Sequence, residues 1–294
     1  MPNEKNGINV KEKGKKRMQE KPFFSIITPV YNCEAYIEEC ILSLKAQTYD
    51  NFEHIIIDGG STDATMDIVR KYEGTYPMRY VSEKDKGMYD AINKGFAMAK
   101  GNIFSWLNAD DRYVPQTLEI VSAVFEEKDV QWLTGIPTVC MEMSSKEKTE
   151  KKELQYIMTD RPFVYARSYL KAGYYEGRLL GFIQQESTFW SRELWERTGG
   201  IPATYQYAGD HFLWKSFAKY APLYTVNAVL ANFRIHTGQK TTDMDKYYGE
   251  IGRKTIKFKL LRRPLLFSLH FYQMLFYKKR MIDVRKLSNW NLQG

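Results

Sequence analysis

Four short runs in the first 111 residues carry types that do chemistry together: Thr28-Pro29-Val30-Tyr31-Asn32, Asp58-Gly59-Gly60-Ser61-Thr62-Asp63, Asp85-Lys86-Gly87 and Asn108-Ala109-Asp110-Asp111. Each combines acids, amides or hydroxyls with a tight turn. Carboxylates gathered in one cleft repel a pyrophosphate unless a divalent cation intervenes. Hard oxygen ligands suit Mg2+ or Mn2+, which take one or two carboxylates and complete their shell with phosphates. Such a metal acts as a Lewis acid towards a departing nucleoside diphosphate. Neither the dinucleotide fingerprint G-x-G-x-x-G nor the P-loop G-x-x-x-x-G-K-[ST] occurs. Taken singly, Asp110-Asp111 after an apolar run, or Asp58 before Gly-Gly, are ordinary turn residues. It is their joint occurrence that points to a site.

The elements between these runs predict how they meet. Residues 23–30 (FFSIITPV) and 53–58 (EHIIID) read as strands, 79–82 as a short third and 103–107 as a fourth. Ile37, Cys40, Ile41 and Leu44 recur at helical spacing, with Asn32 placed to cap; Thr65, Ile68, Val69 and Tyr72 repeat the pattern. Ala91, Ile92, Gly95, Phe96 and Ala99 share a third helical face ended by Gly101, and Pro115 is placed at the start of a fourth helix. Strands alternating with helices imply an α/β fold with a parallel sheet and crossover helices. In such a sheet ligands bind outside the carboxyl ends of the strands, where all four runs fall. Further on, residues 141–153 read as a solvated edge loop, 187–190 as a strand and 192–198 as a helix closed by Gly199-Gly200. Another helix begins near His211.

Composition narrows the class. With 44% hydrophobic and 15% aromatic residues in 294, the chain can bury a large core. Cys33, Cys40 and Cys140 form no zinc-type pairing and are odd in number, which fits a reduced cytoplasmic setting. The net charge of +8 is unevenly placed: residues 1–21 carry +4 and 253–286 carry +10, leaving −6 on the rest. An acidic body with basic ends is not the pattern of a nucleic-acid-binding fold. Residues 1–21 read as a disordered basic leader without the apolar core of a signal peptide. The longest apolar stretch, 265–276, is interrupted by Ser268, His270 and Gln273 and is shorter than a membrane span.

The segments SIITPVYNCEAYIEECILSLKAQTYDNFEHIIIDGGSTDATMDIV, DKGMYDAINKGFAMAKGNIFSWLNADD, QQESTFWSRELWERTGG, YAGDHFLWKSFAKY and FRIHTGQK resemble, in order, the motifs of glycosyltransferase family 2. The resemblance spans residues 23–240. It implies a GT-A fold, a Rossmann-like, mostly parallel sheet flanked by helices, with a nucleotide-diphospho-sugar donor, Mn2+ or Mg2+, and inversion at the anomeric carbon. Carried over by position, Pro29, Val30, Tyr31 and Asn32 form the nucleotide-binding edge and Asp58 receives the base or ribose, supported by Ser61 and Asp63. Asp85 and Lys86 border the nucleotide, with Asp90 and Asn93 on the helix beneath. Asn108-Ala109-Asp110 occupies the D-x-D position with Asn for the first acid, which leaves Asp110 and Asp111 as metal ligands. Asp210 takes the place of the catalytic base, with N-capping of its helix as the bland alternative. Gln185, Glu186, Phe189 and Trp190 are expected on the acceptor side, although Trp190 reads more readily as core than as a sugar platform. His236 is expected at the metal or diphosphate, against an equal prospect of a structural role.

The division that follows is a leader (1–21), a catalytic domain (22–240, with a nucleotide-sugar half to 111 and an acceptor half from 112), and a helical C-terminal region (241–294). In that region Leu265, Leu266, Leu269, Tyr272 and Phe276 recur at helical spacing between Arg262-Arg263 and Lys278-Lys279-Arg280. Such a basic, amphipathic extension suits anionic lipid, with docking on the domain or a homodimer contact as competing readings. The expected activity is transfer of a sugar, from UDP before GDP or dTDP, to a saccharide or lipid-linked saccharide in surface-polysaccharide assembly. The expected place is the inner face of the cell membrane, with no nucleic acid as partner. A nucleotidyltransferase on a related fold would want a glycine-rich loop after the first strand, which is missing. A non-catalytic binding module is the other alternative.

Overall fold

The computed structural model describes residues 23–143, 153–158, 163–236, 239, 243–252 and 256–288. The expected leader and the tip of the expected 141–153 loop lie outside them. Fully buried runs become the central strands β1 (Phe24–Val30) and β2 (Phe52–Asp58), the half-buried β3 (Met78–Ser82) forms the sheet edge, and β4 (Ile103–Trp106) is again fully buried. Between them run α1 (Ile37–Lys45), α2 (Thr65–Lys71) and α3 (Met88–Met98). β5 (Arg112–Tyr113), α4 (Thr117–Glu127), β6 (Trp132–Thr134), β7 (Thr138–Met143) and β8 (Glu153–Met158) follow. The second half holds α5 (Arg167–Ala172), β9 (Thr188–Ser191), α6 (Arg192–Thr198), α7 (Gly209–Tyr220), β10 (Tyr224–Val226) and β11 (Ala231–Ile235). α8 (Met244–Glu250), α9 (Ile256–Arg280) and β12 (Met281–Ile282) close the chain.

The main sheet has the order β12-β10-β6-β9-β4-β1-β2-β3. All its pairings are parallel except those of β9, which runs antiparallel to β4 and β6. The chain leaves β1 for β2 and β3, then returns to β4 on the other side. That reversal opens a crevice at the carboxyl ends of β1 and β4. A smaller sheet, β5-β11-β7-β8, stands beside it. The α/β class, the mostly parallel sheet and its flanking helices are therefore as expected.

Several local expectations change. Asn32 does not cap α1, whose first flanking residue is Tyr36 with no side-chain cap; Asn32 instead takes φ 47° and joins two loops. Gly101 does not end α3, which stops at Met98; it is glycine because a Cβ would collide with the Phe23 carbonyl. Pro115 precedes α4 by two residues rather than opening it. Residues 141–143 and 153 are not loop but belong to the antiparallel β7–β8 hairpin. Gly199 does end α6, in the left-handed conformation at φ 71°. The C-terminal region supplies more than helix, since β12 extends the main sheet by pairing with β10. No helix among the described residues is long and apolar enough to cross a membrane.

Candidate active site

The donor edge is built by hydrogen bonds between the loops after β1 and β2. The Asn32 amide donates to Ser61 Oγ at 2.8 Å, and Asn32 Oδ1 accepts from the Thr62 amide at 2.8 Å. Asp63 accepts from the amides of Glu34 (3.1 Å) and Thr65 (3.0 Å). Burial pushes the Asp63 carboxyl up, but the Thr65 hydroxyl and these amides outweigh it and hold the group below its ordinary value. Asp85 accepts from the Gly87 amide at 2.8 Å and packs on Gly59, where a Cβ would come within 2.8 Å of its Oδ2. The Lys86 amide donates to Asp90 at 3.1 Å, and the exposed Lys86 side chain borders the same loop.

Four residues expected at the nucleotide have side chains that are buried or engaged within the protein. Asp58 is buried and saturated: it accepts from Ser82 Oγ (2.6 Å), Ser61 Oγ (2.5 Å) and the Ser61 amide (3.1 Å). These bonds make it the keystone of the turn. Pro29 and Val30 are buried within β1, opposite Ile57 and Asp58, so the open edge consists of Tyr31 and Asn32. Asn93 spends its side chain on Ile201, donating to its carbonyl (2.7 Å) and accepting from its amide (3.1 Å). It fastens α3 to the turn after α6.

At the carboxyl end of β4 the chain turns through Asn108-Ala109-Asp110-Asp111 towards β5. Asp110 Oδ2 lies 3.0 Å from His236 Nε2 and 3.3 Å from Gln239 Nε2. The His236 ring rests on Tyr36, centroids 4.2 Å apart. Arg234, on β11, donates from Nε to the Asp110 carbonyl (2.9 Å), pairs with Glu39 and lies 5.0 Å over the Tyr36 ring. Asp111 is turned away: it is buried and accepts from the Arg234 amide (2.9 Å) and Asn108 Nδ2 (3.2 Å). Burial, then the charges of Glu186 and Asp110, push its carboxyl well above the ordinary range. Asp111 is therefore a buttress of β11, not a free metal ligand. Ala109 is buried beneath it, and Asn108 Oδ1 is buried without a hydrogen-bond partner.

Among the described residues no group of three His, Cys, Asp or Glu side chains converges as a metal cage. One carboxylate and one imidazole 3.0 Å apart do fit a cation that takes its remaining ligands from phosphate and water. Asn108 leaves the D-x-D pattern one acid short, and His236, just past β11, brings its imidazole to the acid that remains.

The opposite wall holds the dry carboxylates. Asp210 is the second residue of α7, whose first flanking residue is Ala208 with no side-chain cap; Asp210 is not the cap. Its Oδ1 is buried without a hydrogen-bond partner. Burial pushes its carboxyl up to about 6; the His211 amide and its own amide pull against this, and Glu250 adds to the push. Glu250, on α8, accepts from three successive amides, Gln206 (2.8 Å), Tyr207 (2.9 Å) and Ala208 (2.8 Å), and so clamps the strap that delivers Asp210. Tyr89 braces the same strap by donating to the Tyr207 carbonyl at 3.1 Å.

Glu186 is buried, accepts from Gln184 Nε2 at 2.5 Å, and is pushed up to about 7 by burial, with Asp110 and Asp210 adding to the effect. Gln185 ties this segment to β4, donating to the Trp106 carbonyl at 2.6 Å and accepting from Asn108 at 3.3 Å. Phe189 and Trp190 do not line the cleft. Both are fully buried, and the Trp190 ring packs among Trp106, Trp195 and Trp214. They belong to β9, which is covered on both faces.

Sequence reasoning missed Arg234, Gln239 and Glu250. Arg234 and Gln239 flank His236 in FRIHTGQK, so the motif itself held the signal. Glu250 stands forty residues beyond Asp210 in an unremarked helix, with no pattern to mark it.

A Rossmann-like sheet with one antiparallel strand, a switch-point crevice and carboxylates on facing walls defines the architecture of nucleotide-sugar-dependent transferases. Residues 25–186 match the profile of Glycosyl transferase family 2, and the chain belongs to that family. An uncharacterized glycosyltransferase of Rickettsia typhi, RT0329, is 30% identical over 223 residues, 75% of this chain and 66% of its own length. A PGL/p-HBAD biosynthesis glycosyltransferase of Mycobacterium tuberculosis is 39% identical over 111 residues, 37% of this chain and 43% of its own. The chain thus spans just under two thirds of the length of the Rickettsia relative. Among solved structures, S. aureus TarS 1-349 in complex with UDP-GlcNAc shares the fold at TM-score 0.60 and 18% identity, over 77% of this chain and 64% of TarS 1-349. The mannosyltransferase PcManGT of Pyrobaculum calidifontis, in complex with GDP-Man and Mn2+, does so at TM-score 0.56 and 20% identity, over 80% and 66%.

Proposed function

We propose that this transferase moves a sugar from a nucleoside-diphosphate donor, a UDP-sugar, to an acceptor hydroxyl by inverting displacement, with Asp210 as base. The observation that carries the reading is the unpartnered, buried Oδ1 of Asp210 on a carboxyl pushed up to about 6. A base must be ionised at working pH yet hold a proton well, and a carboxyl near 6 meets both demands at neutral pH. The acceptor oxygen attacks the anomeric carbon, its proton passes to Asp210, and the bond to the diphosphate oxygen breaks. The transferred group is a hexosyl or N-acetylhexosaminyl unit.

Asp110 and His236 would hold Mn2+ or Mg2+, which neutralises charge on the leaving diphosphate when bound. Asn32, Ser61 and Asp63 shape the nucleotide edge, with Tyr31, Asp85 and Lys86 at its border. Gln185 and Glu186 stand at the floor between the two walls. The UDP-GlcNAc and GDP-Man complexes of the two neighbours support a nucleotide-sugar in this crevice. The acceptor is a lipid-linked saccharide in surface-polysaccharide assembly at the cytoplasmic face of the membrane, a reading supported by the charge of the C-terminal region.

The test is calorimetric titration of UDP, GDP and dTDP with and without Mn2+, on wild type and Asp110→Asn. One nucleotide should bind in a metal-dependent way, at least about tenfold more weakly in the variant. Metal-independent binding would remove the role given to Asp110 and His236. Absence of binding by any of the three would overturn the donor reading.

A further inference from the structure

α9 is apolar on both sides over its described side chains, and among the described residues only one side is covered by protein. Leu269 is buried in the main core, Tyr272 packs against it, and Gln273 bonds both the amide (3.2 Å) and the carbonyl (2.9 Å) of Val164. Ser268 meets the Tyr169 hydroxyl. This face docks the helix firmly on the domain. The other half of the circumference, at 3.6 residues per turn, presents Leu266, Phe267, Phe271, Met274, Leu275 and Tyr277.

These six are half of the twelve large apolar side chains exposed among the described residues. Phe267 is 80%, Met274 72% and Phe271 60% exposed. An apolar stripe of this kind on a well-docked helix marks a surface for another phase or partner. It ends in Lys278 and Lys279, both exposed, and residues 253–286 carry +10 overall.

We propose that the outward face of α9 is a docking surface for an anionic phospholipid bilayer, with the helix lying in the interface. Aromatic and aliphatic side chains enter the acyl boundary while the lysines at the helix end meet lipid phosphates. Charge selects this occupant over a second copy of the chain. Self-apposition through the stripe would bring two segments of +10 together, whereas an anionic surface neutralises them. A single helical face is also small beside the roughly 800 Å² per partner of a stable protein interface. A surface-bound mode agrees with the lack of a membrane-crossing helix among the described residues. The proposal is independent of the donor site, but it explains how an acceptor carried on lipid would reach it.

The experiment is flotation of the full-length protein with vesicles of phosphatidylcholine alone and of phosphatidylcholine with phosphatidylglycerol. Two variants are compared, Phe267→Ser/Phe271→Ser/Met274→Ser and Lys278→Glu/Lys279→Glu, with UDP titration on each as a check that the catalytic body is intact. Wild type should float with anionic vesicles, more weakly at high salt, and not with neutral ones. Each variant should lose at least about tenfold in partition with nucleotide binding unchanged. No flotation of wild type, or flotation untouched by both variants, would overturn the proposal. A wild-type dimer in solution that the apolar variant makes monomeric, without lipid binding, would assign the face to a second copy instead. The charge-reversal pair alters exposed positions only, so a folding failure of the apolar triple leaves the test decisive.

Discussion

The two walls of the cleft are both lined with carboxylates, and they treat them oppositely. On the donor wall Asp58, Asp63 and Asp85 accept backbone amides and, for Asp58 and Asp63, hydroxyls; Asp63 is held below its ordinary value. At the floor and on the facing wall Glu186 and Asp210 are buried and pushed up by that burial. A carboxylate satisfied by its own loop builds geometry at little electrostatic cost. One left short of partners in a dry place stores the capacity to take a proton. The same residue type thus frames the site on one side and is available for chemistry on the other.

The sharpest break of this contrast is Asp210→Asn. Transfer should fall about 10²- to 10⁴-fold, while donor affinity, set by the other wall, stays unchanged; steady-state kinetics alongside nucleotide titration reads both. Stability should move the other way. The folded carboxyl sits near 6, above the roughly 3.9 of an unfolded chain. It therefore favours the folded state most below pH 4, and that contribution is lost as pH rises through about 6. Replacing it should raise stability at pH 7.5 by about 2–3 kcal/mol, the cost of ionising the buried carboxyl. Denaturant melts at pH 7.5 and at pH 4 check the sign, since the gain should vanish at the lower pH. A fall in stability at pH 7.5 would mean that Asp210 has partners and the two walls are alike.

Glu250 tests how the dry wall is maintained. It holds three amides of the strap before Asp210 and its charge helps keep Asp210 high. Glu250→Gln should lower kcat about tenfold through loosened positioning, with KM for the donor unchanged. It should also carry the acid limb of the pH–rate profile below about 6. A merely structural clamp would lower kcat without moving that limb.

Much of this was legible beforehand, for identifiable reasons. The alternation of buried strands with amphipathic helices announced the sheet, and the turns at four strand ends announced the crevice, because both are local patterns. What escaped was decided by tertiary contact. Asn32 reads as a helix cap from its neighbours, but Ser61 and Thr62, thirty residues on, claim it. Asp58 and Asn93 carry the right chemistry in the right motif, yet Ser82 and Ile201 consume it. β9 could not be read as antiparallel from its own four residues, since only its partners set the direction. Glu250 has no motif because a clamp on backbone amides asks only for a carboxylate arriving from anywhere.

The smallest effect belongs to a residue with two competing expectations. Trp190 is placed on the acceptor side by the resemblance, while its own sequence context reads more readily as core than as a ring that stacks on sugar. It lies in the core beside Trp106 and Trp214, and its Nε1 has no hydrogen-bond partner. Trp190→Phe therefore sacrifices no hydrogen bond, and its cost is the cavity left by part of an indole, about 1–3 kcal/mol. KM for the acceptor should not change, because the ring touches neither wall of the cleft. Denaturation and acceptor kinetics on this one variant separate the two placements: a raised KM at unchanged stability would return Trp190 to the acceptor side. Lower stability at unchanged KM is the result that a core position requires, and it would leave the acceptor to be gripped by the strap around Asp210 rather than by β9.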